Sequence, residues 1–118
     1  MIPFHNEKLE FIGDAVLGLL VGNKIYALFP DKSEGELSRL RSALVNEHLL
    51  SIMSEKLALG EYLLLGMGEL KEKGNEKKSI LSDTFEALLG GVFIDHGFKG
   101  AEEFFDLCLT NFLLVYSL

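Results

Sequence analysis

The sequence predicts an all-α fold, and three observations support that prediction. Apolar residues recur at helical spacing along most of the 118-residue chain. The apolar share of 48% is spread over the whole length and excludes a disordered tail. Signals that end helices, Pro30, Gly60 and Gly97, separate the apolar segments. Because the chain is short, we expect one domain over residues 1–118, built as a helical bundle.

The first half of the chain predicts three helices. The first runs from about Glu7 to Phe29 and is ended by Pro30, which disfavours helix at the residue before it. Ser33 and Glu36 form a capping-box pattern, which predicts the start of a second helix. A third helix is predicted from Glu47 to Leu59.

The second half predicts one loop and two further helices. Tyr62–Leu65 is short and apolar, and fits either a helical turn or an extended segment. Met67–Lys78 contains two glycines, Gly68 and Gly74, and is predicted to be a loop. Its charged run Lys71–Lys78 fits a solvated loop, with an RNA contact as the alternative. Helices are predicted at Ser79–His96 and Ala101–Tyr116.

Acidic residues outnumber basic ones, 18 against 11, which gives a net charge of −7. This sign is unfavourable for binding nucleic acid, because affinity for phosphates comes from lysine and arginine. An acidic excess also fits a metal site built from carboxylates, where bound cations reverse the local charge. We therefore expect weak RNA binding unless a metal ion or a basic domain assists.

The single cysteine, Cys108, excludes an intramolecular disulfide and fits a reducing, cytoplasmic location. Its apolar neighbours favour a core position over a catalytic thiol. We expect no signal peptide, since no basic segment precedes an apolar run at the N-terminus. The uninterrupted apolar runs are shorter than the ~20 residues that a spanning helix needs, so we expect no membrane partner.

A first acidic cluster lies in the first predicted helix. Glu7, Glu10 and Asp14 lie near one helical face, and Glu10 and Asp14 are one turn apart, a spacing at which like charges destabilise a helix. The helix dipole explains an acid at Glu7, but Asp14 is too deep in the helix for that. Gly13 lies between the acids, where glycine costs about 1 kcal/mol relative to alanine. We infer that another group approaches the backbone there.

A second acidic pair, Asp83 and Glu86, also shares one helical face. The same spacing fits a capping box with Asp83 as the N-cap, and the sequence leaves both interpretations open. Gly90 and Gly91 follow inside an apolar segment and predict close helix packing.

Two helices that each present a pair of carboxylates predict a metal site. Four carboxylates in proximity are unfavourable unless cations lie between them, and oxygen ligands are those that Mg²⁺ prefers. Two such ions activate water and stabilise the leaving oxygen in phosphodiester hydrolysis. A di-iron bundle is disfavoured because it needs Glu-x-x-His pairs. None of the three histidines completes such a pair: His5, His48 and His96.

Residues 6–16, NEKLEFIGDAV, closely resemble the signature motif of the ribonuclease III family. Two further segments, Glu34–Arg41 and Ser79–Gly91, resemble that family in the same order, and the resemblance covers about residues 5–105. It implies the dimeric helical endonuclease domain of the bacterial form.

The resemblance also implies the site and its chemistry. Glu10, Asp14, Asp83 and Glu86 match the family's catalytic carboxylates, which hold Mg²⁺, with Mn²⁺ as a substitute. Glu7 and Glu34 match acids that assist at the site. The implied reaction is hydrolysis of double-stranded RNA to 5′-phosphate and 3′-hydroxyl ends with short 3′ overhangs, in processing of RNA such as ribosomal precursors.

The implied partners are duplex RNA and a second copy of the chain. Phe11 matches a residue that inserts into the partner, with ordinary core packing as the alternative. The family's first two helices and its double-stranded-RNA-binding domain have no counterpart here, so we expect an N-terminally truncated endonuclease domain. One alternative function is a catalytically weak or inactive RNA-binding scaffold on the same fold. Another is a helical protein-interaction module whose acids are incidental.

Overall fold

A computed structural model describes the backbone of residues 7–56 and 74–116, and the side chains of residues 7–54 and 79–110. Every regular element in these ranges is an α-helix: α1 (Glu7–Leu28), α2 (Glu34–Leu44), α3 (Glu47–Lys56) and α4 (Gly74–Tyr116). The predicted all-α fold is therefore confirmed. The predicted helix end at Gly60 and the segment Tyr62–Leu65 lie outside the described residues.

The core lies where α1 and α3 pack against α4, while α2 packs on α1. Removal of these apolar side chains from water is the main force that holds the helices together. Its buried members are Val16, Leu17, Leu20, Val21, Ile25, Leu50, Met53, Phe85, Leu89, Ala101, Phe105 and Cys108. Burial raises the pKa of the Cys108 thiol to about 11, so a reactive thiolate is disfavoured. The predicted core position of Cys108 is confirmed.

The helix α1 is apolar on more than its buried face. Its 22 residues are, by length and composition alone, enough to cross a membrane. Uninterrupted apolar runs do not reveal this property, because it belongs to the whole helix rather than to one continuous run. The core helix of a protein outside a membrane can have the same length and apolar composition. The helix α1 packs along α4, as such a core helix does.

The start of α2 follows from local sequence. The Ser33 hydroxyl accepts a hydrogen bond from the Glu36 amide (3.2 Å), and the Ser33 amide donates to Glu36 Oε1 (2.9 Å). These reciprocal bonds satisfy two amides that the first helical turn leaves without partners. The predicted capping box is confirmed.

The helix α4 begins earlier than predicted, but its interruption at Gly97 lies where the sequence predicts a helix end. The helix begins at Gly74, so the predicted loop Met67–Lys78 is wrong for residues 74–78, while residues 67–73 lie outside the described part. Lysine and glutamate have good helix propensity, which makes a charged run compatible with helix. Gly97 interrupts α4 with φ 75° and ψ −172°, a conformation that favours glycine. The predicted helix end at Gly97 is confirmed.

Candidate active site

The crossing of α1 and α4 brings the two predicted acidic clusters together. Gly13 of α1 and Gly90 of α4 are buried at this crossing. A Cβ atom at Gly13 would overlap the carbonyl oxygen of Glu86 and lie 2.7 Å from its carbonyl carbon. The inference that another group approaches the backbone at Gly13 is confirmed, and that group is the backbone of α4.

The position of Asp83 decides between the two interpretations of the second acidic pair. Because α4 begins at Gly74, Asp83 lies inside the helix and has no capping role at its start. The capping alternative is therefore wrong. Asp83 and Glu86 instead project from one side of a continuous helix toward the acids of α1.

Glu86 is the most perturbed of these acids. Partial burial is the main cause that raises its pKa to about 8. A hydrogen bond between the carboxyl groups of Glu86 and Asp14 adds to the effect, and so do the charges of Asp14, Asp83 and Glu10. Near neutral pH, the hydrogen-bonded pair of Glu86 and Asp14 therefore retains a proton.

The pKa values of Glu10 and Asp83 are shifted in the same direction. Loss of water around the Glu10 carboxyl raises its pKa, with further increases from the charges of Asp83 and Glu7. Burial also raises the pKa of Asp83, and the charge of Glu47 raises it further. These shifts show that the four carboxylates form one electrostatic cluster with an excess of negative charge.

The two acids with predicted assisting roles occupy different places. Glu7 is exposed at the start of α1 and is close enough for its charge to raise the pKa of Glu10. Glu34 is the first residue of α2 and lines a groove of about 640 Å³ between α1 and α2, together with Lys32 and Arg41. None of the four clustered carboxylates lines this groove.

Sequence reasoning missed Glu47. This residue is the first of α3, and its charge acts on Asp83 because α3 packs against α4. Asn46 fixes the start of α3, since its side-chain oxygen accepts from the Leu49 amide (2.9 Å). An asparagine before a glutamate does signal a helix start. It does not signal which helix the glutamate faces.

The chemistry of the donor set fits a hard divalent cation. In the described ranges, no three acidic, histidine or cysteine side chains are already close enough to hold one ion. Mg²⁺, however, is commonly bound through one or two carboxylates, with water completing its shell. All donors here are carboxylate oxygens, and the proton between Glu86 and Asp14 marks where positive charge is needed. Glu10, Asp14, Asp83 and Glu86 therefore remain the predicted ligands of such an ion.

Phe11 lies on the outside of α1 and is 78% exposed. The alternative of core packing is therefore wrong for this residue. A single exposed apolar side chain is ordinary on a protein surface, so Phe11 is informative only together with other exposed apolar residues of α1.

Comparisons with known proteins identify the family. The ribonuclease-III-like family matches residues 3–112. The ribonuclease 3 of Desulfotalea psychrophila is 56% identical over 94 residues, which are 80% of this chain and 39% of that protein. The ribonuclease 3 of Corynebacterium efficiens is 47% identical over 112 residues, 95% of this chain and 44% of that protein. The chain thus spans about two fifths of the length of these relatives.

Solved structures give the same result at the level of the fold. The nuclease domain of ribonuclease III from Campylobacter jejuni superposes with a TM-score of 0.79 at 40% identity, covering 96% of this chain and 77% of that one. That structure was described for flexibility in a region involved in its dimer formation. A second structure of the same domain gives a TM-score of 0.77, covering 96% of this chain and 75% of that one. By sequence and by structure, the chain belongs to the ribonuclease-III-like family.

Proposed function

We propose that this chain is the nuclease domain of a metal-dependent endoribonuclease that hydrolyses double-stranded RNA. One observation carries the proposal: Glu10 and Asp14 of α1 form a single charged cluster with Asp83 and Glu86 of α4. Membership of the ribonuclease-III-like family supports duplex RNA as the substrate class.

In this proposal, the four carboxylates would hold the cation, and its positive charge would favour loss of the proton that the raised pKa of Glu86 retains. The raised pKa of Glu86, about 8, means that binding near neutral pH releases this proton. Asp14, which is hydrogen-bonded to Glu86 without the ion, would then be available as a ligand. Glu10 and Asp83 supply the remaining carboxylates on the facing helix surfaces.

The reaction is the hydrolysis of a phosphodiester. The oxygen of water bonds to phosphorus, the bond from phosphorus to the 3′ oxygen breaks, and that oxygen takes a proton. The products are a 5′-phosphate and a 3′-hydroxyl. Bound Mg²⁺, or Mn²⁺ in its place, supplies a nucleophilic water at neutral pH and neutralises charge that develops on the phosphate.

We further propose that the domain acts as a homodimer, joined through the exposed face of α1 around Phe11. The Campylobacter domain is described as forming dimers, and an exposed aromatic ring suits an interface core. Two sites in one dimer would allow both strands of a duplex to be cut. Processing of ribosomal precursors and a cytoplasmic location are further parts of this proposal, supported by the family resemblance and by the single buried cysteine.

The test is cleavage of a long duplex RNA by the purified chain with and without Mg²⁺. Glu86→Gln is the informative variant because glutamine is neutral and nearly isosteric with the protonated glutamate, so the fold is retained. We expect Glu86→Gln to lower cleavage by more than about 100-fold, beyond the range for groups that only support ligands. Glu103→Gln, an exposed position on the same helix, should cleave like the unaltered chain.

Calorimetric titration with Mg²⁺ and Mn²⁺ separates this proposal from its alternatives. A chain that leaves duplex RNA intact and binds neither ion contradicts the endonuclease proposal. A chain that retains RNA without cutting it is the inactive scaffold that the sequence left open.

A further inference from the structure

At Gly13 and Gly90 the helices α1 and α4 meet backbone against backbone, with the side chain of Ile12 beside the contact. A Cβ atom at Gly90 would overlap the Leu9 carbonyl oxygen and lie 2.9 Å from Ile12 Cγ2 and 3.0 Å from the Gly13 amide nitrogen. In return, a Cβ atom at Gly13 would lie 3.1 Å from the Gly90 amide nitrogen. At each glycine, a side chain would therefore collide with backbone atoms of the opposite helix.

The atoms that each glycine meets belong to the metal-binding segments of the opposite helix. Gly13 lies against the carbonyl of Glu86, and Gly90 lies against the carbonyl of Leu9, the residue before Glu10. A carbonyl within a helix cannot rotate away as a flexible side chain can, because it is held in the helical hydrogen-bond ladder. A methyl group at either glycine must therefore move the helices apart.

The neighbouring glycine provides a contrast. A Cβ atom at Gly91 would meet no atom within 4 Å, apart from its own helix backbone. Gly90 and Gly91 share one helix and differ by one position, so only Gly90 faces the crossing. The need for glycine is specific to the line along which α1 and α4 meet.

We propose that Gly13 and Gly90 are positioning residues that set the gap between the two carboxylate pairs, and thereby the size of the cation held there. The proposal rests on the metal-dependent function proposed above and specifies what determines its metal preference. Helix separation and carboxylate separation are linked because Glu10, Asp14, Asp83 and Glu86 project from the two helices on either side of this contact.

A gap of this kind distinguishes cations by their size. Mg²⁺ binds oxygen at roughly 2.0–2.1 Å in a strict octahedron, whereas Ca²⁺ binds at roughly 2.3–2.6 Å with flexible geometry. A narrow gap held by rigid backbone favours the smaller ion. Widening the gap should weaken Mg²⁺ binding more than Ca²⁺ binding.

The experiment is calorimetric titration of Gly13→Ala, Gly90→Ala and Gly91→Ala with Mg²⁺ and with Ca²⁺, beside the unaltered chain. For Gly90→Ala we expect Mg²⁺ affinity to fall roughly 10- to 100-fold, the range for groups that support metal ligands, with a smaller loss for Ca²⁺. Gly13→Ala should shift the preference further, because its Cβ overlap is the more severe. Gly91→Ala should leave both affinities unchanged.

Helical content measured by circular dichroism identifies the variants that fold. If Gly13→Ala does not fold, Gly90→Ala still tests the proposal. Unchanged affinities, or equal losses for both ions, would overturn the proposal. Loss of fold in both variants while Gly91→Ala folds would overturn it too, since the crossing would then serve stability alone. If the unaltered chain binds neither ion, the proposed function fails rather than this inference.

Discussion

Glu86 shows how strongly its position in the fold alters the pKa of a carboxyl group. Its ordinary pKa of 4.5 is raised to about 8, mainly by burial and then by Asp14. The pKa of Glu36 in the same chain is shifted the opposite way. A hydrogen bond from the Ser33 amide lowers the pKa of Glu36 on the protein surface. The residue type is the same, so the difference comes from the neighbours.

The shift of Glu86 predicts how stability depends on pH in the absence of metal. Between pH 4.5 and about 8, the folded chain holds a proton that the unfolded chain has lost. The free energy of unfolding should therefore decrease as pH rises through this window and level off above it. Denaturant unfolding at a series of pH values measures this slope.

Glu86→Gln removes the titrating group and should flatten the slope, while Glu103→Gln should keep it. Glu10 and Asp83 have pKa values raised in the same direction, so part of the slope remains in Glu86→Gln. If Glu86→Gln and the unaltered chain have the same slope, then Glu86 does not carry the excess proton.

The start of α2 shows what a local sequence motif determines at the level of an element. Ser33 and Glu36 are three residues apart, and their reciprocal hydrogen bonds need no other part of the molecule. Motifs of this kind are predictable from sequence because all their atoms belong to one turn.

Ser33→Ala should therefore lower the free energy of unfolding by about 1 kcal/mol, the usual cost of losing an N-cap. Ser42→Ala is the matched control, because it makes the same change at an exposed position inside α2. Thermal or denaturant unfolding compares the two variants. A Ser33→Ala variant as stable as Ser42→Ala would show that the cap contributes nothing to the folded domain.

At the scale of the whole molecule, the outer face of α1 is an apolar surface that stays exposed among the described residues. Leu19 and Tyr26 are 58% and 73% exposed, and Phe11 is 78% exposed. The opposite face of the same helix supplies five residues of the core. A helix that is apolar on both faces is expected to be covered on both.

Phe11→Ala should weaken the proposed homodimer by about tenfold or more, because burial of a large apolar side chain contributes about 1.5–3 kcal/mol. It should leave the stability of the isolated chain almost unchanged, since Phe11 is already exposed there. Sedimentation equilibrium measures the dissociation constant. Leu107→Ala, which removes an exposed apolar residue on α4, is the control. A strictly monomeric unaltered chain would contradict the dimer.

The sequence alone determined the helices and the chemical character of the site. Helical spacing of apolar residues and the capping box at Ser33 act within one or a few turns, so their effects can be predicted without a fold. Spacing also placed Glu10 with Asp14, and Asp83 with Glu86, on common faces of their own helices. The motif over residues 6–16 indicated the family that the comparisons then identified.

Only the tertiary structure decided how these parts act on one another. It placed Asp83 inside α4 rather than at its cap, and it brought Glu47 toward Asp83. It also set Gly90 against the Leu9 carbonyl and gave Glu86 its proton. Loss of water, charge repulsion and backbone contact all depend on groups distant in sequence. Local patterns therefore predict the ligands of the site, and the packing of α1, α3 and α4 determines their spacing and protonation.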